Sequence, residues 1–318
     1  MRIVVFGTGP FATPSFGWIN GSGHEVVGVV TRPILDSGKR RKTAENPVRD
    51  MAESLGLPIL SPVDVNETSF VEQLAELDSD LFFVCDYGQI LSAECLAASR
   101  LGGINLHGSL LPKYRGAAPI NWAIYHGETK TGVTVIHMST KLDAGPCLVA
   151  EELDIASGET AEQLELRLAE LGVRAISTAL QTLEAWDGQT GIGTPQDRKQ
   201  ASRAPRLKKQ DGLVDWSQTA EQIFNQVRAF QPWPGSFSQW QGEQREPLRV
   251  ILHQVACVES SGGQPGEVVV ADPGQLVVQT GQGGLQILSL QPAGKRKMEA
   301  EAFLRGYQPQ TGDRFGAS

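Results

Sequence analysis

Residues 102–120 read GGINLHGSLLPKYRGAAPI, and the reading of the chain turns on them. Apolar and polar residues alternate up to Asn105 and His107, the pattern of a strand with one buried face. Gly108, Pro112, Gly116 and Pro119 then turn the backbone repeatedly. Residues two apart on a strand share a face, so Asn105 and His107 point the same way. A strand that delivers an amide and an imidazole into a Gly/Pro-shaped loop predicts a site at its C-terminal end. Taken alone, Asn-x-His reads more readily as a turn-capping Asn beside a satisfied, half-buried histidine; the surrounding string changes that.

Working outward, 2–7 (RIVVFG) reads as a buried strand. A Gly-rich turn follows and opens a helix ending near His24, and 25–31 is the second strand. The turn Gly7-Thr8-Gly9-Pro10-Phe11-Ala12 fits the G-x-G-x-x-A dinucleotide pattern, and Arg32 would suit a 2′-phosphate. An NADP-dependent oxidoreductase is therefore one reading. Helices are predicted over 47–56, with Asn46 as N-cap, and over 67–77. Strands at 58–60 and 80–85 alternate with them. Beyond the central stretch come a helix at 118–125, strands at 131–138 and 147–152, and a long helix from about 159 to 186.

This alternation predicts an α/β fold, a Rossmann-like, mostly parallel sheet with helices on both faces. Such sheets bind ligands at the C-terminal ends of their strands. Gly7, Asp86, His107 and the loop holding Asp143 all follow strands. Residues 187–206 lack apolar periodicity and read as a linker. Short strands then recur at 236–241, 248–258, 267–271, 275–279 and 285–290, predicting a small β-barrel. The expected division is thus a domain over 1–186, a linker over 187–206 and a barrel domain over 207–318.

At 318 residues, with 40% apolar and 20% charged residues, the composition is that of a soluble globular chain. The start, MRIVVFGTG, reads as a strand rather than a signal peptide, and no apolar run is long enough to span a membrane. Cys85, Cys95, Cys147 and Cys257 form no Cys-x-x-Cys pair, so neither a disulfide framework nor a zinc site is expected and a cytoplasmic location fits. The net charge of −8 argues against coating nucleic acid by bulk charge. Basic residues nevertheless cluster at Lys39-Arg40-Arg41-Lys42, at Arg206-Leu207-Lys208-Lys209 and at Lys295-Arg296-Lys297.

The string Asn105-Leu106-His107-Gly108-Ser109-Leu110-Leu111-Pro112-Lys113-Tyr114-Arg115-Gly116 resembles the signature of the folate-dependent formyltransferases. The resemblance resumes at Leu142-Asp143-Ala144-Gly145 and covers nearly the whole chain, including Ala229-Phe230-Gln231-Pro232-Trp233-Pro234. It is strongest to the members that formylate methionyl initiator tRNA. It implies Asn105, His107 and Asp143 as catalytic residues and 10-formyltetrahydrofolate as formyl donor. Ser109, Leu110, Leu111 and Pro112, with Asp86, Tyr87 and Gly88, would line the folate pocket. The three basic clusters would meet tRNA, and the barrel would be OB-like. No metal is implied, and a monomer is expected. The chain departs from the family pattern at four positions: Gly9 for Pro, Asp86 for Ala, Lys141 for Gly and Pro146 for Asp.

Formyl transfer to an amine develops negative charge on the formyl oxygen and requires loss of an amine proton. An Asn105 N–H and His107 suit the first need, each such donor being worth ~3 kcal/mol of barrier. Asp143 suits the second and can orient His107. Ser109 reads equally as a loop-capping hydroxyl, and Arg115 either orients the loop or meets a substrate anion. His24, His126, His137 and His253 read as structural or solvated. Other acceptors remain open (an amino sugar nucleotide, glycinamide ribonucleotide, or water in a hydrolase), as does an RNA-binding relative without activity.

Overall fold

The computed structural model describes residues 1–34, 45–242 and 246–316. In chain order the elements are β1 (Arg2–Gly7), α1 (Thr13–Gly21), β2 (Glu25–Val30), α2 (Pro47–Ser54), β3 (Ile59–Leu60), α3 (Thr68–Glu76), β4 (Leu81–Cys85), α4 (Ala93–Ala97), β5 (Gly103–His107), β6 (Arg115–Gly116), α5 (Pro119–Tyr125), β7 (Lys130–His137), β8 (Cys147–Asp154), α6 (Ala161–Glu184) and β9 (Arg203–Ala204). There follow α7 (Ala220–Ala229), β10 (Ser236–Gln241), β11 (Leu248–Val258), β12 (Val268–Asp272), β13 (Gln275–Gln279), β14 (Gly284–Pro292), β15 (Met298–Glu299), α8 (Ala300–Tyr307) and β16 (Arg314–Phe315). The chain divides into two units. One comprises Met1–Pro119, Lys130–Asp154 and Glu165–Pro205, the other Ile120–Thr129, Ile155–Leu164 and Arg206–Ser318. Residues 187–205, expected as a linker, group with the first unit.

The first unit carries, among the described residues, a seven-stranded sheet in the order β3-β2-β1-β4-β5-β7-β8. From β3 to β5 every pairing is parallel, while β7 and β8 add an antiparallel edge. The Rossmann-like, mostly parallel sheet is as expected. The central strands are continuous apolar runs, as strands covered on both faces must be. Val4, Phe6, Phe82 and Val84 are buried in one cluster with Tyr87. The long helix follows its 3.6-residue stripe, with Leu164, Leu168, Leu171, Ala175, Ile176, Ala179, Leu180 and Leu183 buried. At Gly172 the helix comes so close to β5 that a Cβ would lie 2.6 Å from Leu106 Cδ2. Asn46 caps α2 as expected, its side chain accepting from Arg49 N at 3.1 Å.

The second unit holds an antiparallel sheet in the order β12-β13-β14-β11-β10-β16, with β15 on β14. A bridge between Glu267 and Arg314 joins its two ends into a barrel. Register shifts in β11 and β12 supply the bends that closure needs. Trp240, Val250, Leu252, Leu276, Leu285, Ile287 and Phe303 fill the interior. Helix α7 starts on a reciprocal cap between Thr219 and Gln222. No helix among the described residues is long and apolar enough to cross a membrane.

Candidate active site

Strand β5 ends in the first unit's sheet between β4 and β7, with Asn105 opposite Val84 and Ile136, and His107 opposite Thr134. Asn105 is half-buried, and its side chain has no hydrogen-bond partner among the described residues. His107 is 5% exposed. Its Nε2 lies 2.8 Å from the Tyr114 carbonyl oxygen, which can only accept, so Nε2 carries the proton of that bond. Its Nδ1 is 3.8 Å from Asp143 Oδ2. That is ion-pair range and too long for a direct hydrogen bond.

Asp143 lies in the loop joining β7 to β8 with φ +48°, the left-handed region that aspartate tolerates better than most residues. Its Oδ2 accepts the Gly116 backbone N–H at 2.8 Å. Asn105, His107 and Asp143 are thus gathered by a strand end and two loops, one of them returning from β7. A free amide, an imidazole and an anchored carboxylate together offer a donor, a proton relay and a base.

The Gly/Pro loop after His107 is tied internally. Ser109 is buried and its Oγ donates to Lys113 O at 2.7 Å, so its hydroxyl caps the loop. Thr134 Oγ1 donates to Ser109 O at 2.7 Å and accepts Leu111 N at 3.1 Å. The side chains of Leu110, Leu111 and Pro112 remain half-buried beside it. Arg115 Nε and Nη2 donate to Gln196 Oε1 at 3.1 and 2.6 Å, so Arg115 orients the loop.

After β4, Asp86 and Gly88 are exposed with φ +51° and +89°. Tyr87, expected to line a folate pocket, has its ring in the core, 5.4 Å from Phe6 in an edge-to-face pair. Burial pushes its phenol far above the usual range. The Asp86 carboxylate covers Gly9, where a Cβ would lie 1.7 Å from Oδ2.

The other histidines are structural. His137 Nε2 donates to Leu101 O at 2.9 Å, and His253 Nε2 meets Gln291 Oε1 at 3.2 Å. His126 stacks on Trp122. His24 meets the N-terminus and its pKa is lowered, chiefly by burial. Arg206, Lys208, Lys209, Lys295, Arg296 and Lys297 are exposed residues of the second unit. Lys39, Arg40, Arg41 and Lys42 lie outside the described residues. No group of three or more His, Cys, Asp or Glu able to hold a metal occurs among the described residues.

Sequence reading missed Gln196, Thr134 and Ser202, whose bonds fix the loops carrying the site. Thr134 had a usable signal, lying opposite His107 on a neighbouring strand. Gln196 and Ser202 had none, since they sit in a polar stretch without periodicity.

The family model for formyl transferase matches residues 1–180, and that for the formyl transferase C-terminal domain matches 206–308. The chain belongs to the formyl transferase family and is an enzyme of formyl transfer. Within it, the chain is similar over almost its whole length to proteins named methionyl-tRNA formyltransferase. That of Rhodopirellula baltica is 42% identical over 323 residues, spanning 99% of this chain and 96% of the relative. That of Geobacter metallireducens is 38% identical over 320 residues, spanning 99% of each. Among solved structures, HypX from Aquifex aeolicus in complex with tetrahydrofolic acid shares the fold (TM-score 0.63, 19% identity, 96% of this chain and 47% of that one). So does an N-formyltransferase from Helicobacter canadensis in complex with folinic acid and dTDP-3-aminofucose (TM-score 0.64, 16% identity, 94% of this chain and all of that one).

Proposed function

We propose that the enzyme transfers the formyl group of 10-formyltetrahydrofolate to the α-amino group of methionyl initiator tRNA. The observation that carries the reading is the His107–Asp143 pair, 3.8 Å apart, with the side chain of Asn105, two residues before His107 on the same strand, unpartnered among the described residues. The full-length similarity to proteins named methionyl-tRNA formyltransferase supports methionyl-tRNA as the acceptor.

The folate supplies a formyl group on nitrogen, and this site answers its needs with three side chains. Asn105 Nδ2–H has no competing acceptor among the described residues and donates to the formyl oxygen as charge develops there. His107, with Nε2–H engaged by Tyr114 O, adds Nδ1–H to that donation when protonated. Asp143, held by the Gly116 N–H, takes the amine proton directly or through a water. The amine must be neutral to attack, and an α-amino group of pKa near 7.7–8.0 needs only a weak base. The amine adds to the formyl carbon to give a tetrahedral oxyanion, whose collapse breaks the donor's C–N bond, and the released folate nitrogen recovers a proton.

In this reading residues 1–186 hold the folate and the reacting centre, residues 187–206 connect, and 207–318 engage RNA. Leu110, Leu111 and Pro112, with Asp86 and Gly88, face the folate, and Tyr87 acts as a core support for that loop. Arg206, Lys208, Lys209, Lys295, Arg296 and Lys297, with Lys39–Lys42, meet phosphates. The enzyme acts as a cytoplasmic monomer.

The test is formyl transfer from 10-formyltetrahydrofolate to methionyl initiator tRNA, with elongator methionyl-tRNA and free methionine as controls. Transfer to the initiator alone is expected. Formate release with no acceptor labelled, or transfer to an amino sugar nucleotide instead, would overturn the proposal.

A further inference from the structure

We infer that Gln196 is a positioning residue for the reaction, setting the Asp143 carboxylate from a stretch distant in sequence. The inference rests on the catalytic reading of Asp143 given above. Gln196 Nε2 donates to two carbonyls of the site loop, Asp143 O at 2.9 Å and Gly145 O at 2.7 Å. Its Oε1 accepts both Nε and Nη2 of Arg115. Arg115 precedes Gly116, whose N–H holds the Asp143 carboxylate. Both ends of Asp143, carbonyl and carboxylate, are thereby referred to the same two-residue strand, the carbonyl through Gln196 and the carboxylate directly.

That strand is itself anchored by Gln196's own segment. Arg115 and Gly116 pair with Arg203 and Ala204, Arg115 N donates to Ser202 O at 2.9 Å, and Tyr114 N donates to Ser202 Oγ at 2.8 Å. On its other side the segment pairs with the start of β8 through two bonds of 2.8 Å between Thr194 and Cys147. The stretch 194–204 therefore straps the loop after β5 to the loop before β8, and Gln196 is its contact with the site.

The clamp has a reason in the backbone. A non-glycine residue in the left-handed region is held there at a cost and relaxes when its restraints are removed. Asp143 at φ +48° is such a residue, and its own carbonyl is one of the groups Gln196 grips. Loss of the amide frees the 143–144 and 145–146 peptides, and the carboxylate then wanders relative to Nδ1 of His107. A misplacement of about 1 Å at a reacting group costs on the order of 100-fold in rate.

Gln196→Ala and Gln196→Glu test the inference. Glutamate keeps an oxygen for Arg115 and nearly the same volume but cannot donate to two carbonyls. Both variants are expected to lower kcat by roughly 10–100-fold with KM changed less than about 2-fold. In an Asp143→Asn background, Gln196→Ala should cost nothing further, because the two act through one carboxylate. A Gln196→Glu variant with wild-type kcat, or losses that multiply in the double variant, would overturn the inference. Absence of transfer by the wild-type enzyme would refute the proposed acceptor instead. Amide hydrogen exchange at Gly116 needs no substrate. It should accelerate roughly ten-fold or more in Gln196→Ala while the amides of β5 keep their protection, and unchanged exchange would refute the clamp whatever the acceptor.

Discussion

Gly9 and Asp86 should behave as one unit, and a double-mutant cycle measures the coupling. Gly9 has φ −99° and ψ 174°, an extended conformation open to any L residue, so alanine there meets no backbone cost. It meets Asp86 instead: its Cβ would lie 1.7 Å from Oδ2 and 2.9 Å from Cγ. The backbone of Asp86 is held at φ +51° and its carbonyl accepts Thr8 Oγ1 at 2.6 Å, so relief comes from turning the side chain. Displacing a side chain from its well costs about 0.5–1.5 kcal/mol. Gly→Ala at a compatible site returns about 0.4–1 kcal/mol through the unfolded chain. With Asp86 in place, Gly9→Ala should therefore be near neutral. In an Asp86→Ala background it should stabilise by up to about 1 kcal/mol, a coupling of about 1 kcal/mol. For a domain of this size that is roughly 2–4 °C in Tm. Asp86→Ala alone should lower Tm, since alanine tolerates the left-handed region less well than aspartate. The assay is thermal unfolding of the four proteins followed by circular dichroism. Equal shifts for Gly9→Ala in both backgrounds would refute the placement of the carboxylate over Gly9.

Asn105→Ala and Asp143→Asn should each lower kcat for formyl transfer by at least about 100-fold with little change in Tm, near-normal turnover in either removing it from the site. Gly116→Ala should be a damaging single-methyl change near the site. Its Cβ would lie 2.3 Å from the Ala204 carbonyl oxygen at φ +131°, where neither backbone can yield, and a loss of roughly 2–4 kcal/mol is expected in chemical unfolding. Stability should also depend on pH through Asp80. Burial disfavours its charge, but the Arg2 N–H and Arg100 outweigh burial and hold its carboxyl below the usual range. A depressed folded pKa gives stability that is complete above the unfolded value near 3.9 and lost as pH falls through the lower folded value. Asp80→Asn should thus be less stable than wild type at pH 7, with the gap narrowing as the pH falls below about 4; a gap that stays constant or widens as the pH is lowered would refute the assignment.

What the sequence showed depended on whether the signal was local. The strand ending in Asn105 and His107 was legible because period-two alternation fixes which side chains share a face. The long helix was legible from its apolar stripe, and α2 from its Asn46 cap. Helix α7 carried a readable signal too, Thr219 three residues before Gln222, which went unread in a polar surrounding. Helices α4 and α8 are short; α4 is marked only by its Ser92 cap, and α8 has Glu299 as N-cap with no side-chain bond. The antiparallel pairing of β8 with β7 was implied by their short connection, since parallel neighbours need a crossover of a dozen residues or more, whereas that of β7 with β5, joined through α5, was not. The strap over 194–204 was not legible at all. Its pairing joins Tyr114 to Ser202 across 88 residues and leaves no periodic trace in a segment two residues wide at each contact.

The four departures from the family pattern bear on whether the site is intact. Gly9 and Asp86 accommodate one another, the carboxylate occupying the space that a side chain at position 9 would take. The Lys141 side chain is exposed, and its carbonyl accepts Ala144 N at 3.3 Å, closing the turn that carries Asp143. Pro146 cannot donate, and the ladder asks it only to accept, from His137 N at 3.0 Å. None of the four removes a bond that holds Asn105, His107 or Asp143.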